Sequence, residues 1–339
     1  MKILVTGGLG YIGSHTVVEL QSQGHEVIVI DNLSNTRLSV LDGITSITDI
    51  KPIFYNIDLT DKTKTNQFFE IHKDLGGVIH FAAYKAVGES VSDPLKYYEN
   101  NLFSLINILN NLKEKQLSNF IFSSSCTVYG ESSVQPITES APVLKAESPY
   151  GNTKQIGEEI IQDFCKSQPS FKAIALRYFN PIGAHASAKI GELPLGIPQN
   201  LVPYITQTAA GIREQLQVYG NDYPTPDGTC IRDYIHVVDL AKAHVKALEV
   251  LAEHKTHKNF DFFNLGTGKG SSVLEVVKTF EKVTGKPLNY KIAPRREGDI
   301  ITAFADTKKA KKGLGWETKL NLEEALASSW KWQQNLRNT

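Results

Sequence analysis

The stretch from residue 3 to residue 31 constrains the fold more tightly than any other. The apolar run Ile3-Leu4-Val5 breaks into Gly7-Gly8-Leu9-Gly10-Tyr11-Ile12-Gly13. A helical pattern follows through Val17, Val18 and Leu20, with Gly24 as its stop. Val27-Ile28-Val29-Ile30 then reads as a second buried strand, closed by Asp31. The order is strand, glycine turn, helix, strand, acid. Gly8, Gly10 and Gly13 satisfy G-x-G-x-x-G, and Gly7, Gly10 and Gly13 satisfy G-x-x-G-x-x-G. Such glycines let the backbone turn tightly and approach a pyrophosphate seated on the helix N-terminus. A bare structural turn would give the same glycines, so the flanking strands and the closing acid carry the reading.

Asp31 at the end of strand two can accept hydrogen bonds from both adenosine ribose hydroxyls and would repel a 2′-phosphate. The cofactor is therefore expected to be NAD rather than NADP, with nearby Arg37 a mild counter-signal. Residues 53–57 read as strand three, followed by Asp58. That acid either accepts from an adenine amino group or helps cap the helix after Asp61. Residues 77–83 are strand four, and His80 inside it reads as a satisfied core histidine rather than a base. An amphipathic helix over 99–115 carries Leu102, Leu105, Ile106, Leu109 and Leu112. Phe120-Ile121-Phe122 is strand five, running into Ser123-Ser124-Ser125. Hydroxyls there lie where parallel sheets bind ligands, although a serine-rich loop is the plainer reading. Residues 173–176 form strand six. The whole predicts an α/β chain built on a Rossmann-type doubly wound parallel sheet.

After residue 180 the alternation stops. Residues 181–230 are rich in proline and glycine, which suits a lobe of short pieces over a cleft. Residues 234–238 open another strand-to-helix unit with Asp239 near the helix start, and 262–266 read as a further strand. Ser272 with Glu275 spells a capping box. Residues 288–292 read as a strand, and Asp306 is expected to cap a helix that stops at Gly313. Lys308, Lys309, Lys311 and Lys312 read as its solvated face, and 322–335 as the last helix.

Composition bounds the partners. The 339 residues carry 36 Lys plus Arg against 36 Asp plus Glu. A nucleic-acid or anionic-membrane partner would want a basic excess. Cys126, Cys165 and Cys230 are far apart and lack CxxC spacing, so neither a disulfide framework nor a metal site is expected. A reducing, cytoplasmic setting fits them. The first residues do not read as a signal peptide, and no apolar run reaches the ~20 residues that span a bilayer.

The chemistry centres on Tyr150-Gly151-Asn152-Thr153-Lys154. A tyrosine and a lysine four apart on a helix project from one face. A free phenol titrates near ~10 and is a poor base at neutral pH. An ammonium beside it favours the phenolate, so Lys154 is expected to lower the pKa of Tyr150 and make it a proton acceptor for an alcohol. Most such spacings are helix surface, and the rest of the chain decides.

Together with Thr6 to Gly13, Ser123-Ser124-Ser125 and Arg177-Tyr178-Phe179-Asn180, this motif resembles the extended short-chain dehydrogenase/reductase superfamily. Residues 85–90, 221–225, 232–236 and 294–299 resemble more closely its UDP-glucose (UDP-galactose) 4-epimerases. The resemblance implies a homodimer with one tightly bound, unconsumed NAD per subunit. It implies that residues 1–180 form the NAD-binding domain, with 233–262 returning to it. A smaller mixed α/β substrate-binding lobe would come from 181–232 and 263–339. Tyr150 would be the base, Lys154 would tune it and contact the nicotinamide ribose, and Ser125 would bond the sugar hydroxyl. Lys85 and Tyr178 would help hold the cofactor, with Tyr11, Ile12, Asn32, Asn35 and Phe81 around it. Asn180, Asn200, Leu201 and Tyr219 would line the UDP-hexose site, and Arg232, Arg296 and Asp299 would grip the nucleotide. Arginine suits a diphosphate because its planar fork binds bidentately. The helices over 99–115 and from about 150 would pair the subunits.

The implied reaction is a transient oxidation at C4 of the sugar, turnover of the 4-keto sugar within the site, and hydride return to the opposite face. Related 4,6-dehydratases carry an Asp-Glu pair where this chain has Cys126 and Thr127, which argues against dehydration. Ala303 falls where epimerases restricted to plain hexoses often hold a tyrosine. Its methyl should leave room for an N-acetyl group, so UDP-GlcNAc and UDP-GalNAc are expected substrates beside UDP-Glc and UDP-Gal. Competing readings are another nucleotide-sugar dehydratase, decarboxylase or reductase, and a catalytically dead NAD sensor. The latter would not need Tyr150, Lys154 and Ser125 together. The sequence leaves open the preferred sugar and the pathway, whether galactose breakdown or surface-polysaccharide synthesis.

Overall fold

A computed structural model describes residues 1–338 apart from Gln116, His257, Glu297 and Gly298. Glu297 and Gly298, part of the 294–299 motif, thus lie outside the described residues. The first apolar run becomes β1 (Lys2–Thr6), and the glycine turn leads into α1 (Tyr11–Ser22). Gly24 follows α1 with φ +80°, the left-handed state that ends a helix at least cost in glycine. The alternation continues through β2 (Glu26–Asp31), α2 (Ser39–Thr48), β3 (Ile53–Asn56), α3 (Lys62–Ile71) and β4 (Gly77–His80). Next come α4 (Val87–Ser92), α5 (Pro94–Lys115), β5 (Asn119–Ser125), α6 (Pro149–Ser167) and β6 (Lys172–Tyr178). The expected 99–115 helix begins earlier, at Pro94, because proline at a first helical position loses no intrahelical bond.

The later elements are β7 (Asn180–Ile182), α7 (Leu201–Ala209), β8 (Leu216–Tyr219), β9 (Ile231–Arg232) and β10 (Tyr234–His236). They are followed by α8 (Val237–Ala252), β11 (Phe260–Leu265), β12 (Ser271–Ser272), α9 (Val273–Thr284) and β13 (Tyr290–Ala293). The chain continues with β14 (Thr302–Ala303), α10 (Lys308–Leu314) and α11 (Leu322–Asn338).

Seven parallel strands form the main sheet in the order β11-β6-β5-β4-β1-β2-β3. One face packs against α1, α2 and α8 through Val17, Leu20, Leu41, Leu240 and Leu248. The other packs against α3, α5 and α6 through Phe68, Leu105, Leu109 and Ile161. Strand order reverses between β1 and β4, which opens a crevice at the carboxyl ends of the strands.

The lobe is woven from distant pieces: β10 beside β7, β13 beside β8, and β9 between β12 and β14. Its core gathers Val202, Ile205, Val276, Phe280 and Leu326. The capping box at Ser272 and Glu275 forms as the sequence spells it.

Four local expectations change. A boundary between 262 and 263 would cut β11, which pairs with β6 in the main sheet. Thr307 rather than Asp306 sits at the start of α10, and Asp306 instead accepts from the Lys308 amide at 2.9 Å. The helix ends at Gly315, with φ +62°, because Gly313 lies inside it against Phe263. Lys309 is not a solvated lysine, since its Nζ meets Asp261 at 2.7 Å and the Phe262 carbonyl at 2.6 Å. Among the described residues, no helix is long and apolar enough to cross a membrane.

Candidate active site

At the carboxyl end of β1 the chain makes a turn with no room for side chains. A Cβ on Gly13 would lie 2.2 Å from the Gly7 carbonyl oxygen, and one on Gly7 would lie 2.8 Å from the Ala82 amide. Gly7 itself has φ +66°. The first amides of α1, from Tyr11, Ile12 and Gly13, have no intrahelical acceptor. A bare backbone cradle at a helix N-terminus suits a pyrophosphate. Gly10 is the residue that starts α1, and Ile12 packs into the core beneath. The Tyr11 hydroxyl leaves the cradle and donates to the Gly183 carbonyl at 2.6 Å.

Asp31 ends β2 buried beside this turn. Its Oδ2 accepts from the Leu9 amide at 3.1 Å and its Oδ1 from the Leu33 amide at 2.9 Å. Burial raises its pKa and the two amides oppose the rise. Each oxygen keeps acceptor capacity for a diol. Asn32 donates to Asp58 Oδ2 at 3.2 Å, while Asn35 is exposed at the rim. Asp61, not Asp58, caps α3 by accepting from the Lys64 amide at 3.0 Å. Burial pushes Asp58 up, but the Thr60 donors and Asn32 outweigh it and hold the acid below its usual range. Phe81 closes the floor, its ring 4.6 Å from that of His244. Cradle, acid and floor together fit a dinucleotide. His80 is a core group: it bonds the Thr6 hydroxyl at 2.7 Å, and burial holds it neutral, down to about 3.

The second half of the site is a helix pinned to a strand. Ser148 caps α6 by accepting from the Gly151 amide at 3.1 Å, with proline next in the first turn. Tyr150 then faces Ser125 at the end of β5. Lys154 Nζ donates to the Ser123 carbonyl at 2.7 Å, 5.9 Å from the Tyr150 ring centroid. The Tyr178 and Ser123 hydroxyls share a hydrogen bond, and Tyr178 pairs in register with Ser125.

The electrostatics correct one expectation. Tyr150 is pushed up to about 12, not down: burial dominates, and the Ser125 hydroxyl only opposes it. Lys154 does not rescue the phenolate because its ammonium is directed at the Ser123 carbonyl. Burial lowers Lys154 itself to about 8, with Glu158 working against the fall.

The lobe completes the cleft. Arg296 Nη2 donates to Asp299 Oδ1 at 2.7 Å, and Arg232 Nη2 approaches the same oxygen at 3.8 Å. The Arg296 guanidinium lies 5.6 Å over the Tyr219 ring. Asn200 sits at the start of α7, just before Leu201, yet its amide donates to Glu192 Oε1 at 2.6 Å instead of capping. Lys85 reaches the same oxygen at 3.3 Å. Asn180 opens β7, its amide bonded to the Asp233 carbonyl at 3.0 Å. Ala303 pairs in register with Arg232 and packs among Val128, Tyr129 and Phe179, beside Cys126.

Four residues of this neighbourhood had no role in the sequence reading. Glu192 draws Lys85 and Asn200 together. Asp233 accepts from Thr267, Gly268 and Ala305 and so ties β14 to the loop after β11. Glu158 and Arg177 form a buried ion pair behind Lys154. The spacing of Glu158, one turn beyond Lys154, was the available signal; the other partnerships are between segments far apart in sequence.

Comparison with known proteins agrees with this geometry. The family model described as GDP-mannose 4,6 dehydratase matches residues 4–329. The UDP-glucose 4-epimerase of Bacillus subtilis is 52% identical over 99% of this chain and 97% of its own length. A UDP-glucose-4-epimerase from Stenotrophomonas maltophila, solved with bound NAD and formylated UDP-arabinopyranose, superposes with TM-score 0.96. It is 45% identical, over 100% of this chain and 99% of its own. The epimerase of Bifidobacterium longum, solved with NAD+ and UDP, gives TM-score 0.94 and 46% identity over 100% and 99%.

Proposed function

The chain belongs to the UDP-glucose 4-epimerases of the extended short-chain dehydrogenase/reductase superfamily, and from that premise we propose that it inverts C4 of UDP-hexoses with a resident NAD. The observation that carries the reading is that α6 presents Tyr150 and Lys154 to Ser125 beside a glycine cradle with a buried Asp31. The cradle amides and Asp31 would hold NAD, with Asn32, Asn35, Asp58, Phe81, Lys85 and Tyr178 around it. NAD supplies a reversible acceptor for the C4 hydrogen and its electron pair, so no net oxidation results.

The residues of this chain do the rest. Tyr150 takes the proton of the sugar 4-OH, directly or through Ser125, and later returns it. A phenol held at about 12 returns a proton readily and needs a cation nearby to take one. Lys154 is the cation this chain offers, and it would also contact the nicotinamide ribose. Arg232 and Arg296, oriented by Asp299, would clamp the diphosphate. Asn180, Asn200, Leu201 and Tyr219 would complete the nucleotide site. Remote nucleotide binding leaves the sugar free to turn over between the two half-reactions. The turn after β5 offers a cysteine in place of a carboxylic acid, and burial pushes the Cys126 thiol up to about 12. That disfavours elimination of the 6-hydroxyl, so we prefer epimerisation to dehydration.

Finer features belong to the same proposal. The small Ala303 beside Cys126 supports acceptance of UDP-GlcNAc and UDP-GalNAc. Leu95, Phe103 and Ile106 leave apolar surface exposed on α5, which supports a homodimer through α5 and α6. Three free cysteines suit the cytoplasm. The main sheet, with β11 included, would be the cofactor domain and the later pieces the substrate lobe. The test is anion-exchange product analysis after incubation with UDP-Gal and, separately, UDP-GalNAc, without added NAD. Conversion of both is expected. Conversion of UDP-Gal alone would discard the N-acetyl reading, and conversion of neither, even with NAD supplied, would overturn the epimerase.

A further inference from the structure

Glu158 follows Lys154 by one helical turn, as Lys154 follows Tyr150. Its carboxylate is buried and doubly bonded by Arg177 of β6, Nε to Oε1 at 2.9 Å and Nη2 to Oε2 at 2.5 Å. The Ser124 hydroxyl adds a third bond at 2.5 Å. The guanidinium is itself fixed between the Phe262 ring at 3.9 Å and the Tyr129 ring at 4.8 Å. Three successive turns of α6 therefore meet three successive residues of β5: Tyr150 with Ser125, Lys154 with the Ser123 carbonyl, Glu158 with Ser124. The epimerisation uses the first two turns and leaves the third without a chemical task. A buried ion pair is a weak device for stability alone, because apolar residues of similar shape do as well. A bidentate fork is a strong device for fixing one geometry.

We propose that the Glu158–Arg177 pair is the positioning device of the site: it sets the rotation and height of α6 on β5 and β6 and keeps Lys154 charged and seated on the Ser123 carbonyl beside Tyr150. The proposal rests on Tyr150 and Lys154 being the catalytic pair. Lys154 is faced by Tyr150 and Glu158 on its own helix and by the Phe122 ring of β5. His80, held neutral, faces it from β4, while Arg177 of β6 is taken up by Glu158 and Tyr178 by the Ser123 hydroxyl. On α4 and α5, Glu89 is already bound to Lys96 and Tyr97. Glu158 is thus the anion of this neighbourhood that opposes the discharge of Lys154 by burial.

The experiment uses the NAD-loaded protein with UDP-Gal and compares Glu158→Gln, Arg177→Gln and the double variant Glu158→Gln/Arg177→Met. Two readouts are taken: the pH profile of kcat, and the tyrosinate absorbance titration of Tyr150 by subtraction of Tyr150→Phe. In Glu158→Gln, kcat should fall roughly 10- to 100-fold with KM nearly unchanged. Its alkaline limb should move down by about one pH unit, while the Tyr150 titration, which lies well above it, should stay in place and so mark the limb as that of Lys154. Arg177→Gln leaves Lys154 as the partner of Glu158, so its alkaline limb should move up. If a single variant does not fold, the double variant decides, because it strands neither member of the Glu158–Arg177 pair as a lone charge. It should fold, lose kcat and keep a downward-shifted limb. Wild-type kcat and an unmoved limb in the double variant would overturn the proposal. Unchanged turnover in Tyr150→Phe would instead overturn the catalytic reading beneath it.

Discussion

If the sugar pocket accepts N-acetyl sugars as proposed, Ala303→Tyr should make it selective for plain hexoses. Ala303 is 7% exposed, and its methyl already touches a filled cluster of Val128, Tyr129, Ile137, Phe179 and Ala305. Its strand cannot retreat. The Asp233 amide donates to the Ala303 carbonyl at 3.1 Å, the Ala305 amide to Asp233 Oδ2 at 3.1 Å, and the Ile231 amide to the Ile301 carbonyl at 2.9 Å. A phenol ring added there must extend toward the sugar. Forcing extra volume into a packed site costs ~1–3 kcal/mol, or roughly 5- to 150-fold in a rate ratio. An N-acetyl sugar competing for that space bears this cost, and a plain hexose bears little of it. The quantity to measure is kcat/KM for UDP-GalNAc divided by kcat/KM for UDP-Gal, in wild type and variant. The ratio should fall by that factor while activity on UDP-Gal survives. Equal losses on both sugars would refute the gating argument.

Tyr150→Phe should lower kcat about 10²- to 10⁴-fold while UDP binding, measured by calorimetry, is retained; unchanged turnover would remove Tyr150 from the reaction. Gly13→Ala places a Cβ 2.2 Å from the Gly7 oxygen, so the purified variant should release little or no NAD on denaturation, and a full complement would refute the close-packed cradle. His15 and His80 are held neutral at about 3, and His236 and His244 at about 4, each chiefly by burial. Their folded pKa values lie below the unfolded one, so the unfolded chain binds protons first and stability falls as pH drops from about 6.5 toward 4. Each should cost about 2 kcal/mol by pH 5, seen as a steep fall in Tm; a flat Tm between pH 7 and 5 would contradict the burial.

Local features were legible because the nearest residues decide them. The glycine turn, the stop at Gly24 and the Ser272–Glu275 capping box needed only spacing and backbone freedom. The facing of Tyr150 and Lys154 needed only the helical period. Asp306 misled because capping depends on one residue of offset: Thr307 occupies the start of α10, and of the two readings left open for Asp58 the cap falls away because Asp61 holds that place on α3. The direction of the Tyr150 shift was not legible, because it depends on burial and on where the Lys154 ammonium points. Spacing on a helix shows neither. Glu192 and Asp233 were silent for a similar reason. Each binds groups far from it in sequence, Lys85 to Glu192 and Thr267 and Ala305 to Asp233. Arg177 stood inside a quoted motif, but its partner Glu158 lies on another element.

The three-stranded sheet that holds Arg232 has a consequence for how the protein is made. β9 draws its neighbours from 271–272 and 302–303, and Asp233 draws a donor from Ala305. The main sheet acquires its last strand at Leu265, just before β12 at 271–272 but well before β14 at 302–303 has been made. During vectorial synthesis the nascent chain therefore carries a complete nucleotide-binding sheet while its arginine strand still lacks β14. A polypeptide arrested near residue 300 would hold its cofactor half and have no pocket for a sugar.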